Sequence, residues 1–243
     1  MNDYERMAEV IRHSRYMVAL TGAGISTESG IPDFRGSGGY YKTTLPQQAL
    51  SASVMYQEPE RYYSEGYTII QDVIGKTPNA AHQSLVELQQ LGYLHEIITQ
   101  NIDDLHARSG AQDVLQVHGD ASMTYCEDCH YEEGLDQFDT RIQSGQIPPQ
   151  CPKCGGLMRT NVVLFGDPMP PEFELAMDAV MRADTLLVIG SSLEVMPVAM
   201  LPTMVEHLLI INVDATPFDS SADVVIHAKA GEVMPKIVAS INE

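Results

Sequence analysis

The segment from Tyr16 to Gly36 restricts the possible folds of this chain more than any other. The apolar run Tyr16-Met17-Val18-Ala19-Leu20 closes on Thr21-Gly22-Ala23-Gly24. An apolar run ending in Gly-x-Gly is how a buried parallel strand passes into a phosphate-binding turn, because glycine turns tightly and lets backbone N–H groups approach a diphosphate. An ordinary dinucleotide fingerprint would place a third Gly or Ala at position 27, where this chain has Thr27. The continuation Ser29-Gly30-Ile31-Pro32-Asp33-Phe34-Arg35 adds a rigid turn, a carboxylate, an aromatic ring and a guanidinium. That combination predicts a loop folding over a ligand rather than a simple helix start.

Further strand-like runs recur at 94–99, 114–117, 162–165, 185–189, 208–213 and 223–227. Between them, helical periodicity marks Glu5–His13, Ala80–Leu91, Glu172–Arg182, Val198–His207 and Gly231–Ile241. Alternating strands and helices predict an α/β fold with an open, mostly parallel sheet covered on both faces. Residues 37–79 and 121–160 break the rhythm with prolines, aromatic patches and cysteines, and are expected to form a smaller lobe beside the sheet. The sheet domain then comprises 1–36, 80–120 and 161–243, with 37–79 a helical insertion.

The formal charge of −19 over 243 residues argues against direct nucleic-acid binding, which needs a basic face, and favours a cationic partner or mere solubility. Residues 1–15 are polar and charged, and no apolar run approaches the ~20 residues of a membrane span, so a soluble cytoplasmic protein is expected. All four cysteines sit in two pairs, Cys126-x-x-Cys129 and Cys151-x-x-Cys154, separated by 21 residues. Two such knuckles supply four thiolates for a closed tetrahedral Zn²⁺ site, which leaves the metal structural. A redox pair is the rival, but redox C-x-x-C normally occurs singly beside a βαβ unit.

Three strand-like runs end in chemistry. Leu94–Thr99 leads into Gln100-Asn101-Ile102-Asp103-Asp104, where amides and a carboxylate suit ribose hydroxyls and a carboxamide. Asp104 is read there as a helix cap. Val114–Val117 ends in His118, whose ordinary pKa near ~6.5 makes it the natural general base. His82 and His207 read instead as helix-surface residues. Leu186–Ile189 ends in Gly190-Ser191-Ser192, and Leu208–Ile211 in Asn212-Val213. With Asn161–Asp167, the carboxyl edge of the sheet is expected to form one continuous dinucleotide site.

Taken together, the string from Thr21 to Gly36, Gln100–Asp103, His118-Gly119, the cysteine pairs and the late motifs resemble the sirtuin family, most closely its bacterial-type deacetylases. The likeness runs from Tyr16 through Val225. It implies a Rossmann-like domain beside a zinc-containing small domain, with NAD and an acyl-lysine peptide entering the cleft between them. By motif, Gly22, Ala23, Thr27, Asp33, Phe34 and Arg35 would contact NAD, Phe34 shielding the nicotinamide. Gln100, Asn101, Ile102 and Asp103 would form the nicotinamide and ribose pocket. Gly190, Ser191, Ser192, Asn212 and Val213 would follow the rest of the dinucleotide. His118 would be the catalytic base, with Asn101 and Asp103 counted beside it as catalytic. Val163 and Phe165 would line the acyl-lysine tunnel, and Gly166 and Val195 would flank the peptide by backbone pairing.

The implied reaction removes acetyl from protein lysine, consuming NAD and giving nicotinamide and O-acyl-ADP-ribose. Mono-ADP-ribosyl transfer from the same site, or a non-catalytic NAD or ADP-ribose sensor, are the alternatives. Three departures from the family pattern are mild: Thr160 where proline often follows the arginine (here Arg159), Asp167 for the usual Glu, and Ser191 for a frequent Thr. The Tyr-x-x-Arg pair that recognises carboxylated acyl groups is not found, since Arg61 precedes Tyr62, Tyr63 and Tyr67. A neutral acyl group is therefore expected, because a carboxylate in an apolar tunnel would be buried unpaired.

Overall fold

The computed structural model of the chain describes residues 1–36, 38–42 and 45–242; Ser37, Thr43 and Thr44 of the expected insertion, and Glu243, lie outside them. Six of the seven apolar runs become strands of one parallel sheet: β1 (Met17–Thr21), β2 (Leu94–Thr99), β3 (Val114–Gln116), β7 (Thr185–Ile189), β8 (His207–Ile211) and β9 (Val224–Ile226). Their order across the sheet is β3-β2-β1-β7-β8-β9. Every residue of β1 and β7 is buried, as expected where helices cover both faces.

Alternate side chains face opposite layers. Met17, Ala19, Leu187 and Ile189 pack towards the helices Asp3–His13, Ala80–Gln90 and Ala230–Asn242. Val18, Leu20, Leu186 and Val188 pack towards Pro171–Arg182 and the 3₁₀ segment Val198–Met204. Asn79 caps the helix Ala80–Gln90 by accepting from Ala81 N at 2.9 Å, and its amide donates to Ile25 O at 2.8 Å. The same residue thus starts a helix and pins the loop after β1.

The remaining strands, β4 (Gly119–Cys126), β5 (Glu132–Gly134) and β6 (Met158–Val162), form a three-stranded antiparallel sheet in the order β5-β4-β6. It shares an apolar cluster with the helical segments of residues 46–71, in which Tyr62, Tyr67 and Ile70 meet Phe138, Met158 and Leu164. The expected junctions at 120/121 and 160/161 both fall inside strands, β4 and β6.

Four local readings differ from the structure. The run 162–165 is not a strand of the parallel sheet: β6 ends at Val162, and the next N–H groups bond to three separate partners instead of a neighbouring strand. The helix expected over 198–207 is a 3₁₀ segment ending at Met204, with Pro202, which has no N–H to donate, inside it. His207 consequently opens strand β8 rather than lying on a helix surface. His82 is fully buried, facing His106 across 4.9 Å between ring centroids.

Candidate active site

In an open parallel sheet, ligands bind outside the carboxyl ends of the strands where the chain order reverses. Here that point lies between β1 and β7, and three glycines let the two strand ends interleave. Gly22 N donates to Ile189 O at 3.1 Å and Gly24 N to Gly190 O at 2.8 Å. A Cβ on Gly24 would lie 2.7 Å from Gly190 Cα, and one on Gly190 (φ +63°) would lie 2.3 Å from Ile25 N. No larger residue fits either position without moving backbone.

After this turn the chain forms a 3₁₀ segment, Ala23–Ser29, and leaves it through Gly30 in the left-handed region. The following loop is held by several contacts. Asp33 Oδ1 accepts from Gly36 N at 2.8 Å, Phe34 packs on Tyr40 at 5.5 Å, and Arg35 pairs with Glu194 at 2.6 Å while lying over Tyr41. Thr27 is exposed at the rim and Ala23 is half-buried.

Beneath the loop lies a buried polar knot. Ser26 donates to Asp103 Oδ2 at 2.6 Å and accepts from Asn101 Nδ2 at 3.1 Å. Asp103 Oδ1 accepts from Leu105 N at 3.1 Å. The helix Leu105–Ser109 is therefore capped by Asp103, not by Asp104, which occupies the boundary position at φ 54° without a side-chain cap bond. Burial raises the Asp103 carboxyl above its ordinary value, while the Ser26 hydroxyl, backbone N–H groups and Asn101 amide pull it back. Ser26 was not singled out in the sequence. Its only signal is a hydroxyl two residues past the second glycine of the turn. Ile102 sits above, its carbonyl accepting from Ala121 N at 3.1 Å.

His118 follows β3, and burial depresses its pKa, partly countered by a hydrogen bond to the Gln100 carbonyl. The Nδ1···O distance is 3.1 Å. A carbonyl only accepts, so Nδ1 carries the proton and the lone pair of the neutral ring resides on Nε2. Gln100 is fixed in turn: its N–H donates to Thr21 O at 3.0 Å and its side chain to Ser191 Oγ at 2.9 Å. The His118 carbonyl accepts from Val163 N at 2.9 Å, which sets the segment holding Val163, Phe165 and Gly166 beside the histidine. Phe165 is 40 % exposed although its backbone bridges Ser51 in parallel fashion. Val195 lies on the loop after Ser191 and Ser192, and Met196 beside it is exposed.

Farther along the edge, Asn212 N bonds to Ile226 O at 3.2 Å and its amide to Asp214 O at 2.8 Å, leaving Val213 exposed. The parallel sheet thus brings Gly22, Gln100, His118, Gly190 and Asn212 to one edge. Asn161–Asp167 reaches the cleft from the small sheet instead, so the continuous edge expected from sequence has one member from another layer. A groove of about 480 Å³ lined by Arg6, His13, Asp184 and His207 lies at the opposite, amino-terminal edge and shares none of these groups.

The four cysteines converge although their pairs are 21 residues apart in sequence. All four sulfurs lie within 4.8 Å of one another, Cys126 and Cys154 at 3.5 Å and Cys129 and Cys151 at 3.6 Å. Tetrahedral thiolates at about 2.3 Å from zinc would stand about 3.8 Å apart, so the set fits the ion. The short contacts run between knuckles rather than within one, contrary to a redox C-x-x-C. Backbone N–H groups of Lys153 and Gly156 approach the Cys151 and Cys154 sulfurs at 3.4 Å, offsetting thiolate charge. Four protein ligands leave no open position, which makes the zinc structural.

A doubly wound sheet with a glycine-lined crevice, a half-buried, tautomer-locked histidine at a strand end and a four-cysteine module beside it defines a dinucleotide-consuming enzyme with a structural zinc lobe. The Sir2 family profile matches residues 22–197, and the chain belongs to that family. It is 44 % identical over 237 residues to NAD-dependent protein deacetylase 2 of Caldanaerobacter subterraneus subsp. tengcongensis, covering 97 % of this chain and 95 % of that one. It is 39 % identical to NAD-dependent protein deacylase 1 of Archaeoglobus fulgidus, with 98 % of each chain covered. Among solved structures it resembles a Sir2 complex with deacetylated p53 peptide and 3'-O-acetyl ADP ribose at TM-score 0.92 and 34 % identity, covering 97 % of each chain. A Sir2–p53 peptide–NAD⁺ complex is matched at TM-score 0.89 and 34 % identity over 98 % of each.

Proposed function

We infer that this chain is an NAD-dependent protein-lysine deacetylase, removing acetyl or another neutral acyl group. NAD is its co-substrate, zinc its structural metal and acetylated lysine on protein its acceptor. When bound, NAD supplies a glycosidic bond whose cleavage releases nicotinamide and exposes an electrophilic ribose carbon. The protein's part is to hold, exclude water and move a proton. Gly22, Ala23, Gly190, Ser191 and Ser192 offer backbone and hydroxyl groups to the diphosphate, and Asn212 and Val213 meet the adenosine end. Thr27, Asp33, Phe34 and Arg35 close over the nicotinamide side, whose pocket is Gln100, Asn101, Ile102 and Asp103. Val163 and Phe165 form the acyl-lysine tunnel, with Gly166 and Val195 pairing to the peptide backbone. His118 Nε2 takes a proton from a ribose hydroxyl.

The observation that carries this reading is the Nδ1–H bond from His118 to Gln100 O, which presents a basic Nε2 to the cleft. The preference for neutral acyl groups is supported by the fate of the candidate anion-binding residues. Arg61 is engaged by Glu58 and Glu65, and Tyr62, Tyr63 and Tyr67 are buried in the small lobe. We further propose that 1–36, 80–120 and 161–243 bind NAD while 37–79 and 121–160 form the lobe that closes the cleft. Cytoplasmic residence is proposed from four cysteines gathered as one thiol cluster rather than as disulfides. Among the described residues no helix is long and apolar enough to cross a membrane.

The test is incubation of the zinc-loaded protein with NAD and an acetyl-lysine peptide, followed by mass analysis. Loss of acetyl with equimolar nicotinamide and O-acetyl-ADP-ribose is expected. Gain of ADP-ribose by the peptide would instead establish mono-ADP-ribosyl transfer, and no NAD consumption would defeat the reading.

A further inference from the structure

The guanidinium of Arg159 has no part in the chemistry described above, yet it is among the few buried charges in the molecule, 6 % exposed. It sits on β6 opposite Tyr125 of β4, one pair along from Cys126 and Met158. One terminal nitrogen donates to Asp167 Oδ2 at 2.5 Å and to Val162 O at 3.1 Å. The other reaches Tyr56 Oη at 3.2 Å, Asp167 Oδ1 at 3.4 Å and Glu127 Oε1 at 3.5 Å. Tyr56 itself donates to Glu127. Three separate pieces of chain therefore share one cation: the helical insertion through Tyr56, the first cysteine knuckle through Glu127, and the cleft segment through Asp167 and Val162.

That cleft segment depends on the cation for its shape. Asp167 Oδ2 also accepts from Leu164 N at 2.9 Å, and Asp167 N returns a bond to Leu164 O at 2.9 Å. Val163 N is spent on His118 O, Phe165 N on Leu50 O, and Phe165 O on Ala52 N. Between these anchors stand Val163, Phe165 and Gly166, the residues assigned above to the acyl-lysine peptide. A buried ion pair is a poor source of net stability, because desolvation offsets the attraction, but its directional bonds fix geometry. Here the geometry fixed is that of the peptide-binding loop.

We propose that Arg159 is a positioning residue for the acyl-lysine peptide: through Asp167 it holds the Val163–Gly166 loop in register with His118, and through Glu127 and Tyr56 it ties that loop to the cysteine module and the helical insertion. This rests on the deacetylase reading. Glu127, inside the first cysteine knuckle, supplies a fixed wall against which the guanidinium is braced. The groups assigned to the diphosphate and adenosine, Gly22, Gly190, Ser191 and Asn212, stand at strand ends of the parallel sheet, away from the braced unit.

The experiment measures acetyl-lysine peptide and NAD affinities by calorimetry, both Michaelis constants, and zinc content, for the full-length zinc-loaded wild type, Asp167→Asn and Asp167→Glu. Losing one charge-assisted partner is expected to raise the peptide Kd and KM about tenfold in Asp167→Asn. NAD affinity should stay within about twofold and zinc should be retained; Asp167→Glu, which keeps the carboxylate, should restore most of the peptide affinity. Should Asp167→Asn not fold, Tyr56→Phe removes a single phenolic hydroxyl from the same guanidinium, with an expected rise of about threefold in peptide KM alone. Unchanged peptide affinity in the variant that folds, or peptide and NAD affinities falling together with zinc loss, would overturn the proposal. A wild type that neither binds peptide nor consumes NAD would defeat the deacetylase reading and this inference together. A wild type that does both while Asp167→Asn binds peptide normally defeats only the inference.

Discussion

Acidification should destabilise this protein through two histidines that never meet solvent. His82 and His106 are buried against each other, and burial lowers their pKa values to about 4 and about 3. In the unfolded chain both return to about 6.5. Because the unfolded state binds the protons first, stability is complete above pH ~6.5 and falls as pH drops towards the folded values. Each unit of pH inside that window costs ~1.36 kcal/mol per histidine, so going from pH 7 to pH 5 costs about 2 kcal/mol each and about 4 kcal/mol for the pair. The damage is local to the site. His106 Nε2 bonds to Thr21 Oγ1 at 2.9 Å, Thr21 to Thr99 Oγ1 at 2.8 Å, and Asn101 N to Thr99 Oγ1 at 3.1 Å. Urea unfolding at both pH values should show His106→Gln losing about 2 kcal/mol less than wild type, since one titrating ring is gone while an amide still reaches Thr21. All other titrating groups are common to both proteins and cancel. Parallel stability-against-pH curves would refute the argument.

His118→Ala should abolish deacetylation while leaving fold and zinc intact; circular dichroism and metal analysis check the second half, and normal turnover would remove the assigned base. In wild type the acid limb of kcat/KM should fall below pH ~6.5, because burial lowers the pKa of the base and the neutral ring survives into more acidic solution. Chelation of zinc, or Cys151→Ser, should unfold the small lobe and lower the thermal midpoint by several degrees, with protection of β4 and β6 amides lost first in hydrogen exchange. Gly190→Ala should cost roughly 2 kcal/mol or more, since the new Cβ meets Ile25 N at 2.3 Å from a left-handed backbone; denaturant unfolding measures it.

The parallel sheet was legible because its strands are buried on both faces and read as uninterrupted apolar runs bounded by glycine or polar turns. The same signal misled at 162–165. Val163, Leu164 and Phe165 are apolar, but their N–H groups go to His118 O, Asp167 Oδ2 and Leu50 O, and periodicity carries no information about such long-range partners. His82 looked exposed because a helical pattern assigns polar residues to the outer face. It is buried because His106 packs against it and its Nδ1 accepts from Asn79 N at 3.3 Å. The convergence of Gly22, Gln100, His118, Gly190 and Asn212 on one sheet edge was readable from their positions at strand ends. The bonds of Ser26 to Asp103 and of Arg159 to Tyr56 were not, because they join residues 77 and 103 positions apart that only packing brings together. Cysteine spacing was the most direct of all, since metal geometry restricts it locally.

One carbonyl links fold to chemistry here. Left to itself, a neutral histidine distributes its proton between two nitrogens, and a base pointing the wrong tautomer at its substrate is inert. Gln100 O removes that choice for His118. The carbonyl can do so because Gln100 extends the β1–β2 pairing by one bond, to Thr21 O, and is held on the far side by Ser191 at the end of β7. Ser191 approaches that closely only because Gly22, Gly24 and Gly190 let β1 and β7 interlock without side chains between them. The glycines that read in sequence as a phosphate turn therefore have a second consequence: they set the distance across which the tautomer of His118, the proposed base, is fixed. A residue larger than glycine at position 24 should on this argument impair proton transfer as well as dinucleotide binding.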